Sequence, residues 1–431
     1  MVFAKPNRDI RSRRKHKEMI RWIRERLGTA PYNDINLAGC TIVDVRDLVD
    51  KAGNPAGAIS KLVLDAVRAY QAGETVVVAC DFGISRSNAI AAGVLSVVEE
   101  MSYSQALRDV AERTGEREIK IDVATAVAQA FGATERRPHS ARPLITGASG
   151  FLGGALLRSL GGRHDALGPS RSELDLEAGT LALAEYCDRE SVGQIVHLAY
   201  PRAYTNTESA AKSMLMLRNI LDVCRSRDIR LILVSGAVVF SGYTGADLVA
   251  DEGFEPCPKG VYGETKFIEE TLVSMHSNRG DVRSVVCRLS SVYGPGGQRP
   301  RFIHTFFRRA MLGETIVTHR YENGRPAVDL LFIDDAVDAL RLVIDSEIQG
   351  VVHFGSGHLD TTFELAKTIV SIAGADVRVE ELAIAETTAN VALNSSRALH
   401  ELHWSSRVNV PDGLARTLLN KPSDRQTDAL A

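Results

Sequence analysis

The chain has 431 residues, of which 45% are hydrophobic and 24% charged, and its formal net charge is −3 at pH 7. This length predicts two or three domains, and the near-neutral charge gives no argument for a nucleic-acid partner. No apolar run reaches the ~20 residues of a membrane helix and no secretory signal is recognisable, so we expect a cytoplasmic protein without a membrane partner. The six cysteines lack metal-type spacing, so no metal site is predicted.

The first third of the chain predicts a mixture of helices and strands. An amphipathic helix is expected at 17–27, where Ile20, Ile23 and Leu27 share one face. Further along we expect a strand at 40–45, a helix at 58–71, the strand TVVVAC ending at Cys80, and helices at 87–100 and 104–113. The charged segment GATERRPHSARP lacks apolar periodicity and predicts a linker. The expected division is a domain at 1–135, a linker at 136–142, a domain at 143–420 and a flexible tail at 421–431.

The stretch CDFGISRS at 80–87 follows that strand directly and predicts an anion-binding loop. Backbone N–H groups of such a loop converge on a phosphate, and the N-terminus of the next helix adds positive potential. An arginine at position 86 clamps two phosphate oxygens. The same field lowers the pKa of a cysteine at position 80, which favours the nucleophilic thiolate.

This stretch resembles the Cys-x5-Arg phosphatases, specifically the dual-specificity branch of the protein tyrosine phosphatases, over roughly residues 30–130. The resemblance implies that Cys80 is the nucleophile, Arg86 binds the phosphoryl group and Ser87 assists release of the thiolate. The loop residues that would bind substrate phosphate are Asp81, Phe82, Gly83, Ile84, Ser85 and Arg86. A general acid is expected in VDVRDLVD, where Asp47 is favoured over Asp44 and Asp50. The family usually has His before the cysteine, but this chain has Ala79, so a degenerate domain that only binds phosphate is the alternative.

Beyond the linker, strand and helix patterns alternate, which predicts βαβ units on a parallel sheet followed by a smaller C-terminal lobe. The stretch LITGASGFLGG places Gly147, Gly150 and Gly153 between a strand and a helix. Such a turn lets the backbone approach a pyrophosphate at the helix N-terminus. The whole chain is therefore expected to be an α/β protein with a Rossmann fold in its second domain.

Together with IVHLAY, VYGETK and CRLSSVYGPGG, this stretch resembles the extended short-chain dehydrogenase/reductases, the group of sugar-nucleotide epimerases and dehydratases, over about residues 142–418. The resemblance implies that Tyr262 exchanges a proton with the substrate and that Lys266 holds the cofactor ribose. Four residues apart on a helix, the two share a face, and an ammonium there favours the ionised tyrosine. The expected cofactor-binding residues are Gly147, Ser149, Gly150, Phe151, Leu152, Gly153, Arg171, Asp175, Leu176, Leu198, Ala199, Tyr262 and Lys266.

Three positions depart from that family. Gly236 stands where the family has Ser or Thr, so Ser235 or Ser241 would have to assist the tyrosine. Ser291 replaces an Asn, and Val328 replaces an Arg that commonly holds the diphosphate of a sugar nucleotide. These last two departures argue for a monophosphorylated substrate, unless Arg325 or Arg301 replaces the charge.

The cofactor preference follows from the expected second strand, HDALGPSR. Family members that prefer NAD place a carboxylate at the end of this strand, whereas here Gly168, Ser170 and Arg171 occupy it. We therefore expect NADP(H), with NAD(H) as the alternative. The resemblance also allows a homodimer.

The two motifs predict a bifunctional enzyme: an NAD(P)-dependent oxidoreductase or epimerase acting on a phosphorylated sugar or nucleotide-type small molecule, coupled to dephosphorylation through a phosphocysteine. The alternative is a protein phosphatase or a phosphate-reading module fused to a weakly active or inactive dehydrogenase-like domain. Ala79 and Gly236 favour the alternative, because each removes a catalytic accessory.

Overall fold

The computed structural model describes residues 20–34, 39–116, 118–131, 142–161, 165–201, 203 and 205–419. The chain divides into two compact units, the first comprising Met1–Arg136 with Gly179–Leu181 and the second Arg137–Ala178 with Ala182–Ala431. Of the expected linker at 136–142 only Arg142 is described, and it is the first residue of a strand. The expected tail at 421–431 lies outside the described residues.

The first unit packs helices around one small sheet. Its strands are β1 (Arg21–Arg24), β2 (Leu27–Pro31), β3 (Thr41–Asp44) and β4 (Val76–Cys80), with a short 3-10 helix at Tyr32–Asp34. Its α-helices are α1 (Ala56–Gln71), α2 (Arg86–Val98), α3 (Tyr103–Thr114) and α4 (Ile121–Ala130). The sheet order is β1-β2-β4-β3. Strand β4 pairs in parallel with both β2 and β3, and all five of its residues are buried.

The helix expected at 17–27 is wrong in the part of it that the structure describes. Strand β1 pairs with β2 as an antiparallel hairpin, in which Trp22 lies opposite Gly28. The side chains of Ile23 and Leu27 are both about 1% exposed, so burial at this spacing arises in a hairpin as well as on a helix face. Gly28 allows the two strands of the hairpin to approach closely, because a Cβ at this position would lie 2.7 Å from Ile20 Cγ2.

The second unit is a parallel sheet with helices, followed by a lobe of short strands. Its α-helices are α5 (Phe151–Leu160), α6 (Thr180–Glu190), α7 (Thr207–Arg227), α8 (Val261–Asn278), α9 (Arg301–Met311), α10 (Ile333–Ile344), α11 (Thr362–Ala373), α12 (Ser396–Leu402) and α13 (Val410–Leu419), with a 3-10 helix at Ala237–Phe240. Its strands are β5 (Arg142–Thr146), β6 (Val192–His197), β7 (Arg230–Gly236), β8 (Leu248–Ala250), β9 (Ser284–Leu289), β10 (Ser291–Tyr293), β11 (Ile316–Tyr321), β12 (Ala327–Val328), β13 (Leu330–Phe332), β14 (Gly350–Phe354), β15 (Asp360–Thr361), β16 (Val379–Ile384) and β17 (Val391–Leu393).

The main sheet of this unit has the order β14-β9-β7-β6-β5, and every neighbouring pair is parallel. The carboxyl ends of the strands therefore meet at one edge, where open α/β sheets bind their ligands. The expected strand HDALGPSR is reduced, in its described part, to one parallel bridge between Leu167 and Leu144. Its Gly168 packs tightly against Leu157 of α5 and against Ala148 in the turn before that helix, because a Cβ there would collide with the Leu157 side chain and lie 2.7 Å from Ala148 Cβ.

Two buried charged side chains tie this sheet to its surroundings. The guanidinium of Arg230 donates hydrogen bonds to the carbonyl oxygens of Val343 and Ile348, at and beyond the end of α10. Arg288 on β9 is paired with Glu270 on α8, the shortest N–O distance being 2.7 Å, and both side chains are about 5% exposed or less. Among the described residues, no helix is both long and apolar enough to cross a membrane.

Candidate functional sites

The sulfur of Cys80 lies at the buried end of β4, inside the loop that joins β4 to α2. The backbone N–H of Gly83 donates a hydrogen bond to Cys80 Sγ at 3.2 Å, and Ser87 Oγ lies 3.4 Å from the sulfur. Gly83 has φ +67°, and a Cβ there would lie 2.5 Å from Pro31 N on β2. A glycine is therefore required for the loop to curl around the sulfur beside β2.

This loop stabilises the thiolate form of Cys80. Burial alone would raise the pKa of the thiol, but hydrogen bonds from the Ser87 side chain and from the backbone N–H groups of Ser87, Phe82 and Ile84 lower it below its usual value. The convergence of several N–H groups on one anion is the arrangement that also binds phosphate oxygens. The loop geometry thus provides the donors that the sequence predicted, with Ala79 in place of the usual histidine.

Arg86 begins helix α2 and is engaged by protein groups. Its Nη1 donates to the carbonyl oxygens of Arg46, at 3.0 Å, and Leu48, at 2.8 Å, both in the segment after β3. Its Nη2 lies 2.6 Å from Asp81 Oδ2, and its Nε lies 3.4 Å from Asp50 Oδ2. A phosphate that binds Arg86 bidentately has to displace the carboxylate of Asp81.

The other loop residues differ in exposure. Asp81 and Phe82 are on the rim, and the Phe82 side chain is 72% exposed. Ser85 is buried, and its Oγ accepts a hydrogen bond from the backbone N–H of Lys120 at 3.0 Å. Asp81, Phe82 and Ser85 thus have different contacts, although all three were expected to bind phosphate.

The three candidates for the general acid differ in their contacts with neighbouring arginines. Asp44 forms hydrogen bonds with Arg46, which hold the pKa of that carboxyl below its usual value and so disfavour it as a proton donor. Asp50 is the carboxylate that lies beside Arg86. Asp47 is exposed in the same segment, and its role as the acid stays a prediction.

The glycine-rich turn lies between β5 and α5. Gly147 has φ +71°, and a Cβ there would lie 2.9 Å from the backbone nitrogen of Ala199. A Cβ on Gly153 would collide with the carbonyl oxygen of Gly147. The turn therefore exposes backbone at the N-terminus of α5, where Ser149 and Gly150 are exposed, and this open cradle fits the pyrophosphate of a dinucleotide. Phe151 and Leu152 begin α5 and pack against the core.

The end of β6 is joined to this turn by hydrogen bonds to one hydroxyl. Thr146 Oγ1 accepts the backbone N–H groups of Leu198, at 3.1 Å, and Ala199, at 3.2 Å. The same oxygen lies 2.9 Å from His197 Nδ1. His197 is fully buried, and burial lowers its pKa to about 4, so its ring is neutral near pH 7.

Tyr262 and Lys266 lie in the first two turns of α8. The ring of Tyr262 packs edge-on against Tyr200, with the ring centroids 5.0 Å apart, and Lys266 Nζ lies 5.4 Å from the centroid of Tyr200. Because Tyr200 follows Ala199, which contacts the glycine turn, Tyr262 lies near that turn. The structure thus brings together the tyrosine, the lysine and the turn that the sequence predicted.

Lys266 has a buried partner that sequence reasoning missed. Its Nζ lies 2.9 Å from Glu269 Oε2 and donates a hydrogen bond to the carbonyl oxygen of Val234 at 3.2 Å. Ser213 Oγ donates to Glu269 Oε1 at 2.5 Å. A glutamate three residues after the lysine lies on the same helix face, so this spacing could have predicted Glu269 as the partner. Nothing in the sequence predicted the contact with Ser213 on α7.

The two proposed substitutes for the missing serine at Gly236 have different surroundings. Ser241 Oγ is used within its own loop, where it accepts the Lys259 N–H at 2.8 Å. Ser235 Oγ is buried and, in the part of the chain that the structure describes, has no hydrogen-bond partner. Ser235 therefore has a hydroxyl available for a ligand.

The segment expected to select the cofactor carries carboxylates as well as Arg171. Arg171 Nη2 lies 2.9 Å from Glu177 Oε1, and its Nε lies 3.7 Å from Asp175 Oδ1. Glu173 accepts hydrogen bonds from the backbone N–H and the hydroxyl of Ser170. A 2′-phosphate would compete with these carboxylates for Arg171 and Ser170. Leu176 is buried, and its carbonyl oxygen accepts a hydrogen bond from Asn219 on α7.

The expected replacement for the missing arginine at Val328 is already paired. Arg325 forms two hydrogen bonds with Glu381, of 2.7 and 2.9 Å, and its guanidinium lies over the ring of Phe363. Arg301 is exposed at the start of α9. A substrate diphosphate that uses Arg325 therefore has to compete with Glu381.

Comparisons with known proteins bear on the second unit. Residues 143–355 match the model of the NAD dependent epimerase/dehydratase family. The dTDP-4-keto-6-deoxy-D-glucose reductase of Streptomyces niveus is 27% identical over 242 residues, which are 54% of this chain and 80% of that protein.

The second unit is therefore similar to this family over residues 143–355, and we call the matched part the epimerase-family domain.

Solved structures show the same fold for this epimerase-family domain. The UDP-glucose 4-epimerase of Thermus thermophilus, solved with NAD, has a TM-score of 0.55 at 19% identity and covers 64% of this chain and 97% of its own. The RMD protein of Pseudomonas aeruginosa, complexed with NADPH, has a TM-score of 0.53 at 18% identity and covers 64% and 98%. The family is named for NAD, which agrees with the expectation of NADP(H), with NAD(H) as the alternative; these two neighbours were solved with NAD and with NADPH.

The family match starts at residue 143, so the phosphatase-like interpretation of the first unit depends on its own residues alone. The geometry around Cys80 is compatible with that interpretation and does not establish it.

Proposed function

We propose that the epimerase-family domain oxidises, reduces or epimerises a sugar carried on a nucleotide, with Tyr262 as its acid–base residue. The observation that carries the proposal is the placement of Tyr262 and Lys266 beside the segment Leu198–Tyr200, which contacts the glycine turn at Gly147. A bound nicotinamide dinucleotide supplies the hydride acceptor or donor. The turn holds its pyrophosphate, and Tyr262 takes a proton from the substrate hydroxyl or returns one to the carbonyl oxygen.

The names of the relatives support a nucleotide-linked sugar. The matched proteins include enzymes named for dTDP-, GDP- and UDP-sugars, whereas Val328 and Ser291 favour a monophosphate. We therefore place sugar nucleotides first and monophosphorylated sugars second.

The test measures binding and turnover separately. NADPH and NADH are titrated by fluorescence against the full chain, and absorbance at 340 nm follows hydride transfer with dTDP-, GDP- and UDP-hexoses and with hexose monophosphates. Tyr262→Phe is expected to bind cofactor more weakly than wild type but measurably, and to lose about 10²–10⁴-fold in turnover at saturating cofactor. Full turnover by Tyr262→Phe, or no cofactor binding by wild type, overturns the proposal.

We propose as a second function that the Cys80 loop hydrolyses a phosphate monoester. The observation that favours it is the loop around Cys80, where the Gly83 N–H donates to the sulfur and where the Ser87 side chain and backbone N–H groups lower the pKa of the thiol although burial raises it. The thiolate attacks phosphorus, so that an S–P bond forms and the P–O ester bond breaks, and an acid protonates the leaving oxygen. Water then gives a proton back to the group that acted as the acid and attacks phosphorus, and the S–P bond breaks, which releases phosphate and the thiolate. Arg86 binds the phosphoryl oxygens once it leaves Asp81.

Phosphate release tests this second function and its link to the first. Sugar phosphates, nucleotides and a phosphotyrosine peptide are incubated with wild type, with Cys80→Ser and with Cys257→Ser, whose cysteine is exposed. Release from small metabolites that requires Cys80 and NADP(H) supports coupled chemistry on one substrate. Release from the peptide alone indicates a protein phosphatase. Equal release by wild type and Cys80→Ser, or none, overturns the hydrolase and leaves a phosphate-reading loop.

A further inference from the structure

The ammonium group of Lys266 lies in unusual surroundings for a positive charge, because the lysine side chain is only 6% exposed. Transfer of an ammonium out of water disfavours the charged form, and buried lysines can lose their proton near neutral pH. The carbonyl oxygen of Val234 accepts one hydrogen bond from Nζ, and a carbonyl carries no net charge to compensate. The compensation comes from Glu269, whose side chain is 0% exposed and whose Oε2 lies 2.9 Å away.

The charge balance of this pocket depends on the glutamate. Burial lowers the pKa of Lys266, but the charge and the hydrogen bond of Glu269 more than offset it and raise the pKa above its ordinary value. Burial likewise raises the pKa of Glu269, whereas the charge of Lys266 and the hydrogen bonds from the Ser213 hydroxyl and from Lys266 lower it below its usual range. Each member of the pair therefore keeps the other ionised.

The ion pair meets four other side chains from three elements. Tyr262, on the same helix, and Tyr200, after β6, both interact electrostatically with Lys266. His197, at the end of β6, is neutral near pH 7, and Ser213 on α7 donates to Glu269. Among these groups Lys266 is the cation that lies next to the candidate acid–base tyrosine.

We propose that Glu269 is a positioning residue that keeps Lys266 protonated in its buried site and thereby provides Tyr262 with the cation that its acid–base role needs. The proposal rests on the proposed function of Tyr262. Glu269 is fully buried and acts on the reaction only through Lys266. Without Glu269, Lys266 loses its proton and Tyr262 loses its neighbouring cation.

The test follows the ionisation of Tyr262 without any substrate. Absorbance of tyrosinate near 295 nm is titrated in wild type and in Glu269→Gln, and the same titrations of the corresponding Tyr262→Phe variants are subtracted. Loss of a neighbouring cation is expected to raise the midpoint of the Tyr262 signal by about one pH unit. Glu269→Asp keeps a carboxylate and is expected to give a smaller shift than Glu269→Gln. An unchanged midpoint, or one that moves downward, overturns the proposal.

Glu270 provides the matched control. It is the next residue on the same helix and is also buried, but its partner is Arg288, which cannot lose its proton. Glu270→Gln therefore removes an equally buried carboxylate and leaves Lys266 its counter-ion. The Tyr262 midpoint should stay at the wild-type value in Glu270→Gln; an equal shift in both variants means that buried charge loss of any kind moves it, which also overturns the proposal.

Two further measurements separate the ways to fail. If Glu269→Gln does not fold, Ser213→Ala removes one hydrogen bond to the carboxylate and should raise the midpoint by a smaller amount; a Ser213→Ala midpoint at or below the wild-type value then overturns the proposal. NADPH affinity, measured at pH 6 and pH 9, should fall more steeply with pH in Glu269→Gln than in wild type. A wild type that binds no dinucleotide refutes the proposed function, whereas the tyrosinate titration still decides the role of Glu269.

Discussion

The Cys80 site takes its sulfur, its hydrogen-bond donors and its arginine from the consecutive residues 80–87, whereas the Tyr262 site is assembled from β5, β6, β7, α7 and α8. A loop of consecutive residues carries the hydrogen bonds to its own sulfur, whereas its arginine is also held by the carbonyl oxygens of Arg46 and Leu48. The second site exists only where several elements meet, so its chemistry depends on how they pack. The two regions should therefore respond differently to changes at a distance.

The largest effect is expected from breaking the buried pair beneath the second site. Arg288→Met leaves the carboxylate of Glu270 buried without its partner, which is expected to cost about 3–5 kcal/mol in the free energy of unfolding of the second unit. Chemical denaturation measures it. Arg279→Met serves as the control, because Arg279 pairs with Asp281 at the surface and should lose at most about 1 kcal/mol. Equal losses in both variants would show that the buried pair is not special.

A smaller effect is expected from Gly83→Ala in the Cys80 loop. The positive φ and the contact with Pro31 should destabilise the first unit by about 1–3 kcal/mol and disturb the donors around the sulfur. Gly57→Ala in α1 meets nothing within 4 Å and should be neutral or stabilising. If Gly83→Ala is as stable as wild type, the loop does not need the positive φ of residue 83.

The pH dependence of Cys80 reactivity tests how local the first site is. Because the pKa of Cys80 is lowered, its alkylation by iodoacetamide should reach half its maximal rate at a lower pH than for an ordinary cysteine. Ser87→Ala removes one hydrogen bond to the sulfur and should move this midpoint upward by a fraction of a pH unit to about one unit. Ser85→Ala should leave the midpoint unchanged, since that hydroxyl faces Lys120. A midpoint that moves equally in both variants contradicts the assignment.

The smallest effect is expected at the cofactor-selecting segment. Arg171→Ala should lower the affinity for NADPH relative to NADH severalfold, by less than the ~10-fold worth 1.4 kcal/mol, because Arg171 is exposed and already paired with Glu177. Fluorescence titration of both cofactors measures the ratio. Arg189→Ala, at a surface pair with Glu190, should leave the ratio unchanged. A ratio that is insensitive to Arg171 would favour NAD(H) as the natural cofactor.

Patterns of adjacent residues predicted much of the fold. The strands that end at Cys80 and at Thr146, the helices α1, α2, α5, α7 and α8, and the parallel alternation of the second unit follow from apolar runs and their periods. Errors occurred where burial had two explanations. Ile23 and Leu27 are buried in a hairpin rather than on a helix, and Leu167 forms a single bridge rather than a strand. A period alone cannot tell which partner covers an apolar side chain.

Partners that are distant in sequence decided the rest. Motifs predicted the candidate residues Cys80, Arg86, Gly147, Tyr262 and Lys266, because the proposed chemistry requires neighbours at short spacings. The sequence did not show whether Arg86 and Lys266 have partners within the protein. Leu48 and Ser213 are distant in sequence, and only the tertiary structure brings them to these sites. Hydrogen-bond donors on one turn are specified by adjacent residues, whereas the charge state of a buried group depends on every side chain that packing brings within a few ångströms.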